Sequence, residues 1–149
     1  TIITNNAKET QKLGEELAAY IIKGRKEGTV VPHIVCLYGE LGAGKTVFTQ
    51  GFAKGLGLTS RLVSPTFIIV RRYDINLCVQ YLYHVDLYRL HKIEDIEALS
   101  LVELFKDQHA IVVVEWAERL GRLLPRKRID VRWEAVVDDT RTITISYER

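Results

Sequence analysis

The sequence predicts an α/β fold with a mixed sheet, and three observations carry that expectation. An apolar run, Ile34-Val35-Cys36-Leu37-Tyr38, leads into a glycine-rich turn and then a helical pattern, the β-loop-α order of a parallel unit. Residues 110–114, AIVVV, form an unbroken apolar strand of the kind buried on both faces at the centre of a sheet. Two further pairs of β-rich runs are each joined by a short Asp/Asn segment, which predicts antiparallel hairpins. A sheet that mixes parallel β-loop-α connectivity with hairpins satisfies all three, ahead of a purely doubly wound one.

Taken in order, Asn6 followed by Glu9 resembles a capping box, and Leu13, Leu17, Ala18, Tyr20 and Ile21 continue it as an apolar stripe. A first helix is expected there, stopping between Gly24 and Gly28. A strand over 33–38 follows. Residues 47–56 then place Phe48, Phe52 and Leu56 at spacing four, a second helix. Runs over 67–73 and 78–85, separated by Asp74-Ile75-Asn76, predict the first hairpin. Residues 93–105 carry Ile93, Ile96, Leu99, Leu101, Val102, Leu104 and Phe105 and read as a single helix. After the strand over 110–114 come a short helix near 118–124 and a closing hairpin, 128–133 with 141–147, turning over Asp138-Asp139.

At 149 residues the chain is expected to form one domain, 1–149, with a substantial core. Its 47% hydrophobic and 27% charged composition is that of an ordinary globular protein, and a net charge of +2 is too small to point to nucleic acid or membrane by itself. No apolar run approaches a membrane span and no signal segment opens the sequence, so a cytoplasmic protein is expected, or one in an organelle whose targeting peptide has been removed. Cys36 and Cys78 lie in apolar, strand-like runs without metal-ligand spacing, which reads as two buried thiols in a reducing compartment.

The glycine-rich turn, Gly39-Glu40-Leu41-Gly42-Ala43-Gly44-Lys45-Thr46, meets the phosphate-loop pattern G-x-x-x-x-G-K-[ST] at every fixed position. Its glycines let consecutive N–H groups turn inward around an anion. Lys45 adds a point charge for the outer phosphates, Thr46 a hydroxyl for Mg²⁺, and the next helix its positive N-terminus. A P-loop NTPase-like domain binding a nucleoside triphosphate is therefore expected. Hydrolysis also requires a carboxylate at the metal. Asp86 and Glu115 each end an apolar strand at its carboxyl tip, the edge where open α/β sheets bind ligands, and Glu115 has the position of a Walker-B-type acid. The alternative is that each caps the helix that follows.

Thr66, in Ser64-Pro65-Thr66, stands where many phosphate-loop enzymes sense the γ-phosphate, or else in a simple turn. Trp116, next to Glu115, reads as packing that should report on the site by fluorescence. His84 alternates with Tyr83 and Val85 along a strand and reads as structural. From Arg119 to Arg132 six basic residues face one acid, Asp130, which is either a solvated face or a docking patch for RNA or protein.

Four blocks in this order, the phosphate loop, Ser64-Pro65-Thr66-Phe67, His84-Val85-Asp86-Leu87-Tyr88-Arg89-Leu90 and Val114-Glu115-Trp116-Ala117-Glu118-Arg119, resemble the TsaE family, and the likeness runs nearly end to end. The resemblance implies a mixed sheet, parallel in its centre with antiparallel strands at the flanks, and a small ATPase of tRNA threonylcarbamoyladenosine biosynthesis, weak alone and dependent on Mg²⁺. It implies that Gly42, Ala43, Gly44, Lys45 and Thr46 hold the ATP phosphates, that Thr46 and Glu115 hold the metal, that Asp86 is needed nearby, and that the nucleotide base falls near Ala7. It further implies a partner, the TsaB–TsaD heterodimer, which transfers a threonylcarbamoyl group to adenosine 37 of tRNA, with ATP hydrolysis permitting repeated turnover. The rival expectations are a small-molecule kinase and a nucleotide-gated RNA- or protein-binding module. Neither accounts for the three blocks beyond the phosphate loop.

Overall fold

The computed structural model describes residues 1–40, 44–58 and 69–148. Leu41, Gly42, Ala43 and the Ser64-Pro65-Thr66-Phe67 block lie outside the described residues. In chain order the elements are β1 (Ile2–Thr4), α1 (Ala7–Lys26), β2 (Ile34–Tyr38), α2 (Lys45–Gly55), β3 (Val70–Asp74), β4 (Tyr81–Asp86), α3 (Ile93–Glu97), α4 (Leu101–Lys106), β5 (Ala110–Glu115), a 3₁₀ turn (Ala117–Leu123), β6 (Arg128–Val137) and β7 (Thr140–Glu148). Seven strands form one sheet in the order β1-β7-β6-β2-β5-β4-β3. The β6–β2, β2–β5 and β5–β4 pairs are parallel, and β4–β3, β6–β7 and β7–β1 are antiparallel. This is the mixed sheet expected, with both hairpins in place.

Strand alternation divides the core into two layers. Val35, Leu37, Ile111, Val113, Leu82, Ile129 and Val131 face α1 and α2, packing with Leu17, Ile21, Phe48 and Phe52. Ile34, Cys36, Val112, Val114 and Val85 face α3, α4 and the 3₁₀ turn through Ile96, Leu101, Phe105 and Leu120. β2 and β5 are buried along their whole length, as their unbroken apolar runs require. The two helices over the first face approach closely. A Cβ on Gly51 would lie 1.9 Å from the Gln11 carbonyl oxygen, so only glycine admits this crossing.

Several expectations are corrected. The single helix over 93–105 is two, α3 and α4, broken at Ser100, whose φ is 54°. In one continuous helix Leu101 and Phe105 would be turned about 140° and 180° from Ile96, and the break brings all three onto the sheet. The short helix expected near 118–124 is present as a 3₁₀ helix, Ala117–Leu123, interrupted at Gly121. Asn6 caps α1 by accepting the Glu9 N–H at 2.9 Å, but Glu9 reaches back to the Asn5 N–H and not to Asn6, so the box is only half closed. Cys36 is buried, and burial raises its thiol pKa to about 12, whereas Cys78 is exposed in the turn between β3 and β4. β1 was not foreseen: three residues with Ile2 and Ile3 exposed carry no alternation, and pairing with β7 alone defines the strand.

Candidate functional site

The parallel register places the carboxyl tips of three strands in line. Glu115 pairs with Leu37 of β2 on one side and Asp86 of β4 on the other. Alternation then sends the Glu115 side chain toward the face covered by α1 and α2, the parity of Val113 and Ile111. α2 begins above the same tips. Its N-cap, Gly44, has φ 106°, a left-handed conformation that admits little except glycine. Lys45 and Thr46, in its first turn, therefore project to the sheet edge that carries Asp86 and Glu115.

The resulting contacts are specific. Thr46 Oγ1 donates to Glu115 Oε1 at 3.4 Å. The Lys45 ammonium, buried to 5% exposure, donates to the Gly39 carbonyl and lies 3.6 Å from the centre of the Trp116 ring. Burial lowers the Lys45 pKa, against the opposing pull of Glu118, Glu115 and Asp86. Desolvation raises that of Asp86, and the neighbouring Glu115 charge adds to it, although Asp86 Oδ1 accepts the Tyr88 N–H at 3.0 Å. Trp116 itself is left-handed, φ 61° and ψ 43°, a conformation that costs a bulky residue about 1–2 kcal/mol. Tyr88 packs on its ring at 5.3 Å and the Arg119 guanidinium at 5.1 Å. Arg119 also donates to the carbonyls of Leu87, Tyr88 and Leu90, fixing the segment after Asp86 beneath the indole.

The site has the chemistry of an anion cradle. The α2 N-terminus points into it, and a Cβ placed on Gly44 would sit 3.5 Å from Trp133 Nε1, 3.8 Å from Thr10 Cγ2 and 3.9 Å from Arg141 Nε. The Trp133 indole N–H is buried without a hydrogen-bond partner, an orphaned donor beside the loop. Among the described residues no group of three or more His, Cys, Asp or Glu could hold a metal alone. A cation at Thr46 and Glu115 would take its remaining oxygens from phosphate and water, the habit of Mg²⁺ rather than of zinc. Thr46 and Glu115 thus fit a cation that shares its coordination with phosphate and water.

Of the residues singled out in the sequence, Lys45, Thr46, Asp86 and Glu115 converge, and Gly44 caps the helix that carries two of them. Gly39 accepts from Lys45, while Glu40 is exposed beside it. Ala7 is exposed at the start of α1, one turn before Thr10, on the side where α1 meets Gly44. Leu41, Gly42, Ala43 and Thr66 fall outside the described residues. His84, read as structural, joins the site: its Nε2 lies 2.5 Å from Glu115 Oε2, with both side chains buried. Trp133 was missed because a tryptophan in an alternating strand signals only core, and its bare N–H emerges only in three dimensions.

The basic stretch from Arg119 to Arg132 is mostly engaged within the molecule. Arg122 pairs with Glu97, Arg128 Nε with the buried Asp130 at 3.0 Å, and Arg132 lies over Tyr38 at 4.0 Å. A cavity of about 1090 Å³ opens at the opposite, amino edge of the sheet, between Val31, His33, Phe105 and Pro125. His33 there is tied to the Phe105 carbonyl at 2.7 Å and its pKa is lowered by burial, and the cavity receives none of the motif residues.

Residues 4–143 match the family model of the threonylcarbamoyl adenosine biosynthesis protein TsaE. The chain is 39% identical to the tRNA threonylcarbamoyladenosine biosynthesis protein TsaE of Bacillus subtilis, over 96% of this chain and 82% of that one. It is 33% identical to the Treponema pallidum protein of the same name, over 97% and 98% of the two chains. The crystal structure of Bacillus subtilis YdiB superposes with a TM-score of 0.75 at 34% identity, covering 99% of this chain and 84% of that one.

Proposed function

Because the chain belongs to the TsaE family, proteins of threonylcarbamoyladenosine biosynthesis with a P-loop NTPase-like fold, we propose that it binds ATP with Mg²⁺ and hydrolyses it as an accessory of the tRNA threonylcarbamoyl-transfer complex, working as one domain in the cytoplasm. In this reading it docks on the TsaB–TsaD heterodimer, meets tRNA only through that complex, and couples hydrolysis to repeated turnover. The observation that carries the reading is the meeting of Lys45, Thr46 and Glu115 at the carboxyl edge of the parallel strands, beneath the N-terminus of α2.

Each residue then has a role set by its chemistry. Backbone N–H groups from Gly39, Glu40, Leu41, Gly42, Ala43 and Gly44 cradle the phosphates, and the Lys45 ammonium leaves the Gly39 carbonyl and the indole for the outer phosphate oxygens. Thr46 and Glu115 would hold a Mg²⁺ ion, which would supply charge neutralisation to the phosphate oxygens. Asp86, opposite Glu115 on the next strand, would orient water there. Thr66 senses the γ-phosphate, and the start of α1 near Ala7 borders the base. The ties of Arg119 to the carbonyls after Asp86 and of Arg128 to the buried Asp130 withdraw two of these cations from a basic RNA-docking face and so support this reading.

The test is ATP turnover and tRNA threonylcarbamoylation with purified TsaB and TsaD, adding the wild type, Lys45→Ala or Glu115→Gln. The wild type should support multiple rounds while consuming ATP. Both variants should lose hydrolysis by a factor on the order of 100 or more. Modification indifferent to the protein would reject the coupling, and full ATP turnover by either variant would reject the site.

A further inference from the structure

We propose that His84 is a positioning residue for Glu115, dividing the labour of its two carboxylate oxygens; the inference rests on the reading of Glu115 as the metal-side acid. β4 and β5 run parallel with Asp86 opposite Glu115 and His84 opposite Val113, so His84 lies one side-chain repeat deeper along the same face as Asp86. From there its Nε2 meets Glu115 Oε2 at 2.5 Å, with the two side chains 2% and 4% exposed. The other oxygen, Oε1, faces the Thr46 hydroxyl at 3.4 Å. A free glutamate would rotate about its terminal torsions and could present either oxygen, or both, to a cation. With Oε2 accepting from the imidazole inside the core, Oε1 alone is turned outward, toward the hydroxyl of the phosphate-loop helix.

The spacing in the sequence has a reason in this geometry. In His84-Val85-Asp86 the first and third residues share a face, so one strand supplies the group that fixes Glu115 and the carboxylate beside it, while Val85 points into the opposite core layer. An outer partner of this kind typically governs metal affinity by 10- to 100-fold through orientation, without touching the metal.

The experiment uses the full chain with His84→Gln, His84→Leu and, as reference, Glu115→Gln. Binding of a fluorescent ATP analogue is titrated with Mg²⁺ and repeated in EDTA, alongside ATP turnover. Gln keeps an amide donor near the imidazole Nε2, whereas Leu keeps bulk and removes the donor. The expected result for His84→Leu is a rise of about tenfold or more in the Mg²⁺ concentration for half-maximal effect, and a fall of similar size in kcat. Its EDTA binding and its KM for ATP should stay within about twofold of wild type, and His84→Gln should recover most of the loss. If Leu at this position does not fold, His84→Asn, whose amide falls short of Glu115, takes its place. A Mg²⁺ dependence unchanged in the donor-less variant while Glu115→Gln alters it, or equal losses in the Gln and Leu variants, would overturn the role of His84 alone. An unchanged Glu115→Gln would overturn the underlying site reading.

Discussion

Lys45 and Asp86 are the two residues at the site whose ionisation the fold disfavours, and each has a measurable consequence. The Lys45 ammonium rests 3.6 Å from the Trp116 ring, so its transfer to phosphate should change the indole fluorescence. ATP should produce a clear emission change in the wild type and none in Lys45→Ala; an equal response in both would reject the contact as the reporter. For Asp86 the folded pKa is raised, so its favourable contribution is complete below the unfolded value and is lost as pH rises through the folded one. The ionised side chain therefore destabilises the empty protein near neutrality. Asp86→Asn retains an acceptor for the Tyr88 N–H and should raise Tm at about pH 8, with the gain shrinking toward pH 4, while hydrolysis falls. A Tm gain that does not vary with pH would refute this.

At the scale of elements, the crossing of α1 and α2 sets where the phosphate loop ends, because α2 can begin above Glu115 only if its body lies against α1. Gly51→Ala should force the helices apart and destabilise by roughly 2–3 kcal/mol, read as a lowered denaturation midpoint; a loss below about 0.5 kcal/mol would show that the crossing yields easily. Asn6→Ala, removing the cap of α1, should cost about 1 kcal/mol. On the second face the basic segment separates into unlike parts. Arg128→Glu would set two carboxylates together at the buried Asp130 and should lose roughly 3 kcal/mol, whereas Arg126→Glu should lie within about 0.5 kcal/mol of wild type by urea unfolding. A partner-binding defect in the Arg128 variant would therefore reflect folding, and one in the Arg126 variant would mark a docking surface.

For the whole molecule, the arrangement that matters is a parallel centre with antiparallel flanks. The parallel strands bring the tips bearing Asp86 and Glu115 to the edge where α2 begins, while the β6–β7 hairpin carries Trp133 and Arg141 to the far side of Gly44. No helix among the described residues is long and apolar enough to cross a membrane.

Much of this was legible in the residues alone. The helix start at Lys45 and Thr46, the carboxylates at strand ends, the central strands and both hairpins follow from local rules, because glycine conformation, side-chain alternation and turn chemistry act over a few residues. The failures share one physical cause. The break at Ser100, the exposure of Cys78, the existence of β1 and the capture of Glu115 by His84 depend on groups far apart in the chain, where burial and pairing across the sheet outweigh local propensity. The order of residues alone dictates which chemical groups stand at the strand tips and that Lys45 and Thr46 open the helix beside them. Three-dimensional packing settles which oxygen of Glu115 faces inward and which guanidiniums remain at the surface, because those outcomes depend on distances between elements that no local pattern encodes.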